Sequence, residues 1–251
     1  NVASGIIEAE DFTIYGNVGT KVIDVNGSSS ARDIVASVNG VQGETGVYAE
    51  AQTRVNMSFP DQAVATADSV TFKLYGKNTL PQVISGTVEF GITNGRDANV
   101  RALADAVNGA SGATGITAKV SADGSTLNLI SNEGYDIVLE GYELTSGSIS
   151  ANVYPADESF VNIGTASVLT EGAVNNNSMR VGGVLTFHSP YVFSIATAAD
   201  GSKGGALFQQ TPGAATLSAV SDLNVLTIEN AKKMLTAVDG ALVRIDLERS
   251  D

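Results

Sequence analysis

The sequence predicts an α+β protein, mostly short antiparallel strands with two duplicated helix-turn-strand units, plus one long C-terminal helix. Three observations carry this. Several stretches alternate apolar and polar residues with period two, the signature of half-buried strands. One helix-turn-strand pattern occurs twice. The last stretch, 227–251, places Ile228, Ala231, Leu235, Val238, Leu242 and Ile245 at spacings of 3, 4, 3, 4 and 3, the a/d stripe of a coiled coil.

Residues 1–25 alternate loosely through Phe12, Ile14, Val22 and Ile23, with Gly16 and Gly19 between them, and are expected to form a hairpin. From Val25 to Phe59 a short helix is expected over Ile34, Val35 and Val38, with N-cap candidates at Ser28, Ser29 and Ser30. Asn39-Gly40 would end that helix, and a strand would start at Gly46. The pattern returns without a gap at a shift of 69 residues, Ala31–Glu50 onto Val100–Lys119. The identical pairs are Arg32/Arg101, Val38/Val107, Asn39/Asn108, Gly40/Gly109, Gly43/Gly112, Thr45/Thr114, Gly46/Gly115 and Ala49/Ala118. Both Asn-Gly and both Thr-Gly pairs stay in register, which marks an internal duplication.

Around the second unit, 69–75 and 83–92 should pair as antiparallel strands, and 125–130 and 135–139 should continue a sheet. From about 145 to 210 the text is strand and turn, with turn residues at Asn175-Asn176-Asn177 and Asp200-Gly201. Thr211-Pro212-Gly213 reads as a linker. In the final helix Thr227 is the N-cap candidate and Glu229 lies in the first turn, where it complements the helix dipole. About twenty helical residues would present roughly 30 Å of stripe, which is marginal without a covering helix. No second helix of that length is expected in these residues, so the stripe calls for a partner, and the chain is expected to be cut from a longer one at both ends.

Composition narrows the function. The chain has 251 residues, 43% hydrophobic and 16% charged, with no cysteine and no tryptophan. The apolar content is enough for real cores. A formal net charge of −13 repels nucleic acid and anionic lipid, and no apolar run of about 18 residues predicts membrane insertion. Thiol chemistry is excluded outright.

Candidate chemical residues each have a plainer explanation. His188, the one histidine, sits in Leu185-Thr186-Phe187-His188-Ser189-Pro190 and reads as a strand residue. The acidic groups Glu8/Glu10/Asp11 and Asp136/Glu140/Glu143 read as solvated edges; a metal site is left open, but no calcium loop of the Asp-x-Asn-x-Asp-Gly type is present. Asp24, Asn26 and Asp123 read as turn residues. The Gly-rich stretch 109–115 follows a helix and lacks the Lys-Ser/Thr of a phosphate loop. Asn26, Asn56 and Asn176 fall in Asn-x-Ser/Thr triplets, unremarkable at this Ser/Thr content. Seven tyrosines and no tryptophan argue against a dedicated aromatic platform for sugars. No cofactor is predicted.

Three stretches resemble bacterial flagellins. One is Leu235 to Arg249, with Val238-Asp239 and Ala241-Leu242, led by Leu223 to Thr227. The second is the repeated motif, Asn39 with Thr45-Gly46-Val47 and Asn108 with Thr114-Gly115-Ile116. The third is 127–131 with Gly134-Tyr135-Asp136-Ile137. The resemblance implies a structural, non-catalytic subunit of an extracellular filament, found on the bacterial flagellum or cell surface. It implies 1–25 and 211–251 as a filament-side domain, 26–144 as an outer domain with the duplicated motif, and 145–210 as its β-rich second part. The implied partners are copies of itself, joined through flanking helices absent here, an export chaperone, and a surface glycan or host receptor. The alternative is a flagellin-like adhesin or polysaccharide-binding receptor.

Overall fold

Alternation of buried and exposed side chains builds most of the protein. A computed structural model describes residues 11–27, 29–59, 66–90, 100–145, 150–156, 160–163, 166–172 and 177–197. Beyond these it describes only Met234, Leu235, Ala237, Val238, Gly240, Ala241, Leu242, Ile245 and Arg249. The elements in order are β1 (Phe12–Tyr15), β2 (Thr20–Ile23), α1 (Ala31–Gly40), α2 (Gln42–Thr45), β3 (Tyr48–Ser58), β4 (Thr66–Tyr75) and β5 (Gln82–Phe90). They continue with α3 (Arg101–Gly109), α4 (Ser111–Thr114), β6 (Ile116–Val120), β7 (Thr126–Ser131), β8 (Ile137–Leu144) and β9 (Ala151–Pro155). The last are β10 (Ser167–Leu169), β11 (Met179–Val181), β12 (Val184–His188) and β13 (Ser194–Thr197).

The strands form three sheets, ordered β13-β1-β2, β10-β9-β3-β7-β6 with β12 also on β3, and β11-β8-β4-β5. Every pairing whose register is given is antiparallel. The chain divides into two compact units, one of 1–5, 30–32 and 51–184, the other of 6–29, 33–50 and 185–251.

The first unit has the larger core. In β4, Val70, Phe72 and Leu74 are buried, as are Ile84 and Val88 of β5 on the same face. Helix α3 turns Leu103, Ala104 and Val107 inward, and these pack in one cluster with Leu127, Leu129, Val55 and Met57. Each large apolar side chain so buried contributes about 1.5–3 kcal/mol, and no disulfide supports the unit, since there is no cysteine. The core of the other unit is Phe12, Ile14, Ile23, Val25, Ile34, Val38, Val47, Ala49 and Ile195. Here Phe187 meets Phe12 edge-on, ring centroids 5.9 Å apart, a favoured aromatic geometry.

The expected fold class needs correction. The described chain is mostly antiparallel β-sheet with only short helices, the longest being the 10 residues of α1, and no long C-terminal helix is among its elements. The nine residues described between Met234 and Arg249 are all helical, and the rest of 227–251 lies outside the described residues. The class is corrected by its sheets: strands make up most of the elements, while α1 and α3 stop at ten and nine residues.

One buried group should set the alkaline limit of the first unit. Tyr142 is fully buried, and burial, followed by the negative charges of Asp68 and Glu171, pushes its phenol well above the ordinary 10.0. A raised folded-state value leaves stability intact at neutral pH and removes it as pH climbs past 10.0. Tyr142→Phe is therefore expected to flatten the fall of the urea midpoint above that pH. Unchanged alkaline sensitivity would show that other groups set the limit.

Candidate functional site

The duplicated unit is where sequence and geometry meet. In the first copy the Asn39 Nδ2 donates to the Ala49 carbonyl at 3.1 Å, and the Ala49 N–H donates back to Asn39 Oδ1 at 2.8 Å. In the second copy Asn108 does the same with Ala118, at 3.0 and 2.8 Å. A carboxamide carries one acceptor and one donor group on the same plane, as a peptide does. Each asparagine therefore fastens its helix to the strand ten residues on, standing in for a neighbouring strand. Ala49 and Ala118 are buried, so these backbone groups would otherwise lack water as a partner.

Between helix and strand the chain makes one more turn, α2 or α4. The Thr45 hydroxyl donates to the Val41 carbonyl at 3.1 Å and accepts the Val47 N–H at 3.2 Å. Thr114 repeats both bonds, with Ala110 at 3.1 Å and Ile116 at 3.1 Å. The next residue must turn left-handed. Gly46 has φ +74° and Gly115 +71°, a region only glycine enters freely. Their N–H groups close the turn on Gln42 and Ser111.

The structure extends the repeat backwards, which the sequence reading missed. Phe12-Thr13-Ile14-Tyr15-Gly16 and Phe72-Lys73-Leu74-Tyr75-Gly76 both end a strand in a glycine lying against the clasp. A Cβ on Gly16 would fall 1.8 Å from the Thr45 carbonyl oxygen, and one on Gly76 2.3 Å from that of Thr114. That same Thr114 oxygen accepts the Lys77 N–H at 2.9 Å. The five-residue match was available in the sequence, but at a shift of 60 instead of 69, because the two hairpins and their links differ in length.

The other candidate residues are accounted for one by one. The His188 ring stacks on Tyr48 at 5.1 Å between centroids. Asp11 accepts the Val25 N–H at 3.0 Å, while Glu8 and Glu10 lie outside the described residues. Asp136 pairs with Arg180, and Glu140 accepts the Tyr75 hydroxyl at 2.8 Å, which raises the phenol's pKa. Asp123 is a turn residue: the Ser121 hydroxyl, then the Ser125 N–H, bind its carboxylate and lower its pKa. Among the described residues no group of three or more His, Cys, Asp or Glu is placed to hold a metal, and no helix is long and apolar enough to cross a membrane. In the stretch 109–115 the N–H groups of Ala110, Ala113, Thr114 and Gly115 are bonded within the turn. Of the predicted assembly stripe, Ile228 and Ala231 lie outside the described residues. Leu235, Leu242 and Ile245 are 64%, 55% and 59% exposed, and Val238 is half-buried.

Comparison with known proteins picks out the same two copies. The flagellin hook IN motif matches residues 11–59 and 69–133, so it begins at the Phe-x-x-Tyr-Gly strand in copy one and includes each clasp. A B-type flagellin of Pseudomonas aeruginosa is 27% identical over 198 residues, 78% of this chain and 38% of that protein. The chain is flagellin-like. It spans well under half the length of the flagellin it matches.

Removing the clasp separates its contribution from that of the core. Asn108→Ala leaves the Ala118 N–H and carbonyl without partners and is expected to cost roughly 2–4 kcal/mol, one desolvation penalty for each orphaned group. Gly76→Ala is expected to cost about 1–3 kcal/mol through its clash with backbone. Gly109→Ala, with nothing within 4 Å of the added Cβ, should be neutral or gain up to about 1 kcal/mol. Urea midpoints at constant slope check all three; an unaffected Asn108→Ala would mean the clasp is not a structural fastening.

Proposed function

We propose that this chain is part of a flagellin, a structural, non-catalytic subunit of the bacterial flagellar filament. The observation that carries the reading is the flagellin hook IN motif, matched twice and folded twice into the same clasp. Similarity to a flagellin over 78% of the chain supports it. On this reading the whole protein works by mechanical persistence and not by turnover. Antiparallel sheets with helices fastened across them resist shear because their strands are held along their whole length by ladders of hydrogen bonds.

The proposed partners are other copies of the protein, assembled outside the cell, and an export chaperone during secretion. The strongly acidic charge suits a surface that is crowded against itself and must stay soluble. Export before folding suits a chain without cysteine, whose fold needs no oxidation step.

Immunogold labelling with antibodies against these 251 residues, on cells producing the whole protein, tests this. Label along the filaments, and the protein in sheared filaments, is the expected result. Label confined to the cell body or the cytoplasm would overturn the filament reading.

A further inference from the structure

The outward face of the β9-β3-β7-β6 sheet carries a feature that filament architecture does not need. Val55 and Met57 of β3, like Leu127 and Leu129 of β7, point into the core. On the other face Ile130 is apolar and buried, but the positions toward Thr126 are polar, and antiparallel register lines them up across strands. Lys119 pairs with Asn128, Asn128 with Asn56, and Asn56 with Tyr154. One step along, Ser58 lies between Thr126 and Asn152. At a strand spacing of about 4.8 Å the first row crosses roughly 14 Å of sheet.

A cleft of about 300 Å³ opens over these rows, the lower end of the range for small-molecule sites. Asn56, Asn128, Ser58 and Thr126 line it from the sheet, with Tyr154 and Phe160 as aromatic walls. The wall is held in an uncommon conformation. Phe160 has φ +59°, a region that non-glycine residues enter only at a cost in strain. Its carbonyl accepts the Asn56 Nδ2 at 2.8 Å, and the Arg54 guanidinium lies over its ring at 5.0 Å. The same Asn56 Nδ2 donates to Asn162 Oδ1 at 2.7 Å. Asn56 is only 6% exposed, yet its Oδ1 has no hydrogen-bond partner among the described residues. A buried amide oxygen with no donor is costly; this one is shut off from solvent, and the side chain bears that cost while its amide nitrogen holds the cleft wall.

We propose that this cleft binds a neutral saccharide. Carboxamides and hydroxyls on a rigid sheet match the alternating donors and acceptors of sugar hydroxyls, and an aromatic wall suits the apolar face of a pyranose. The net charge of −13 disfavours an acidic polymer, so the ligand class is neutral. The inference is independent of whether the protein forms filaments.

Calorimetric titration of the 251-residue chain with maltotriose, cellotriose, mannotriose and diacetylchitobiose tests it. At least one is expected to bind saturably. Asn128→Ala, which removes no hydrogen bond to Phe160 or Asn162, should weaken binding about tenfold with the urea midpoint unchanged; Asn56→Ala, which releases Phe160 and Asn162 from the sheet, should weaken it further. Three results would overturn the proposal: no saturable binding by any of the four sugars, binding that Asn128→Ala leaves intact, or tighter binding of an oligouronate than of every neutral probe.

Discussion

The fold depends on one asparagine used twice. A helix lying on a sheet is ordinarily held by apolar contacts, which are non-directional and tolerate sliding. Asn39 and Asn108 remove that freedom. By engaging both backbone groups of Ala49 and Ala118, each fixes the axial position of its helix against the first residues of the next strand. Everything downstream inherits that register. Once Ala118 is placed, Ile116 faces the core, and the strand's period of two decides which side chains of β6 are buried. A slip of one residue would present Thr117 and Lys119 to the core instead, and the clasp makes that slip cost two hydrogen bonds.

The threonine and glycines around the clasp follow from the same constraint. The chain has to reverse from helix to strand within a few residues while staying buried, so its polar groups must be satisfied locally. Thr45 and Thr114 each bond on both sides through one hydroxyl. Gly46 and Gly115 supply the left-handed turn, and Gly16 and Gly76 let the preceding hairpin cross directly over a carbonyl oxygen. Replacing any of these asks the backbone to move, and the backbone is what the clasp holds.

This explains which parts of the protein could be read from its sequence. The duplicated identities are backbone requirements, and such requirements leave the same letters at the same spacing. The helix ends near Asn39-Gly40 and Asn108-Gly109 were legible for that reason, while the hairpin β4-β5 was legible from its alternation. What the letters did was less legible. Asn39 and Asn108 read as the start of turns, because asparagine before glycine usually is one; their use as a substitute strand needs the partner ten residues on. The pairings of β1 with β13 and of β4 with β8 join strands far apart in the chain, and no local pattern announces them. The terminal stripe falls mostly outside the described residues, and no long helix there stands among the elements. The cleft escaped because its rows run across strands, where Asn56, Asn128 and Tyr154 are neighbours only after pairing. Along the chain Asn56 is merely the first letter of Asn-Met-Ser.

The same alternation that builds the core leaves a second surface to be used. In β3 and β7, Val55, Met57, Leu127 and Leu129 go to the core and leave Asn56, Ser58, Thr126 and Asn128 on the other face, so a well-packed interior comes with an equally well-ordered exterior. That exterior takes its rigidity from the clasp and the core beneath it without supplying any residue to either. Asn56, Asn128 and Ser58 are therefore pre-positioned in a way that loop residues are not, and pre-positioned polar groups lose less conformational freedom when a ligand arrives. The unpartnered oxygen of Asn56 shows the consequence. Its amide nitrogen is committed twice, to Phe160 and Asn162, so the side chain cannot turn to satisfy its other end. Holding the loop and leaving an acceptor unfilled are two results of one orientation.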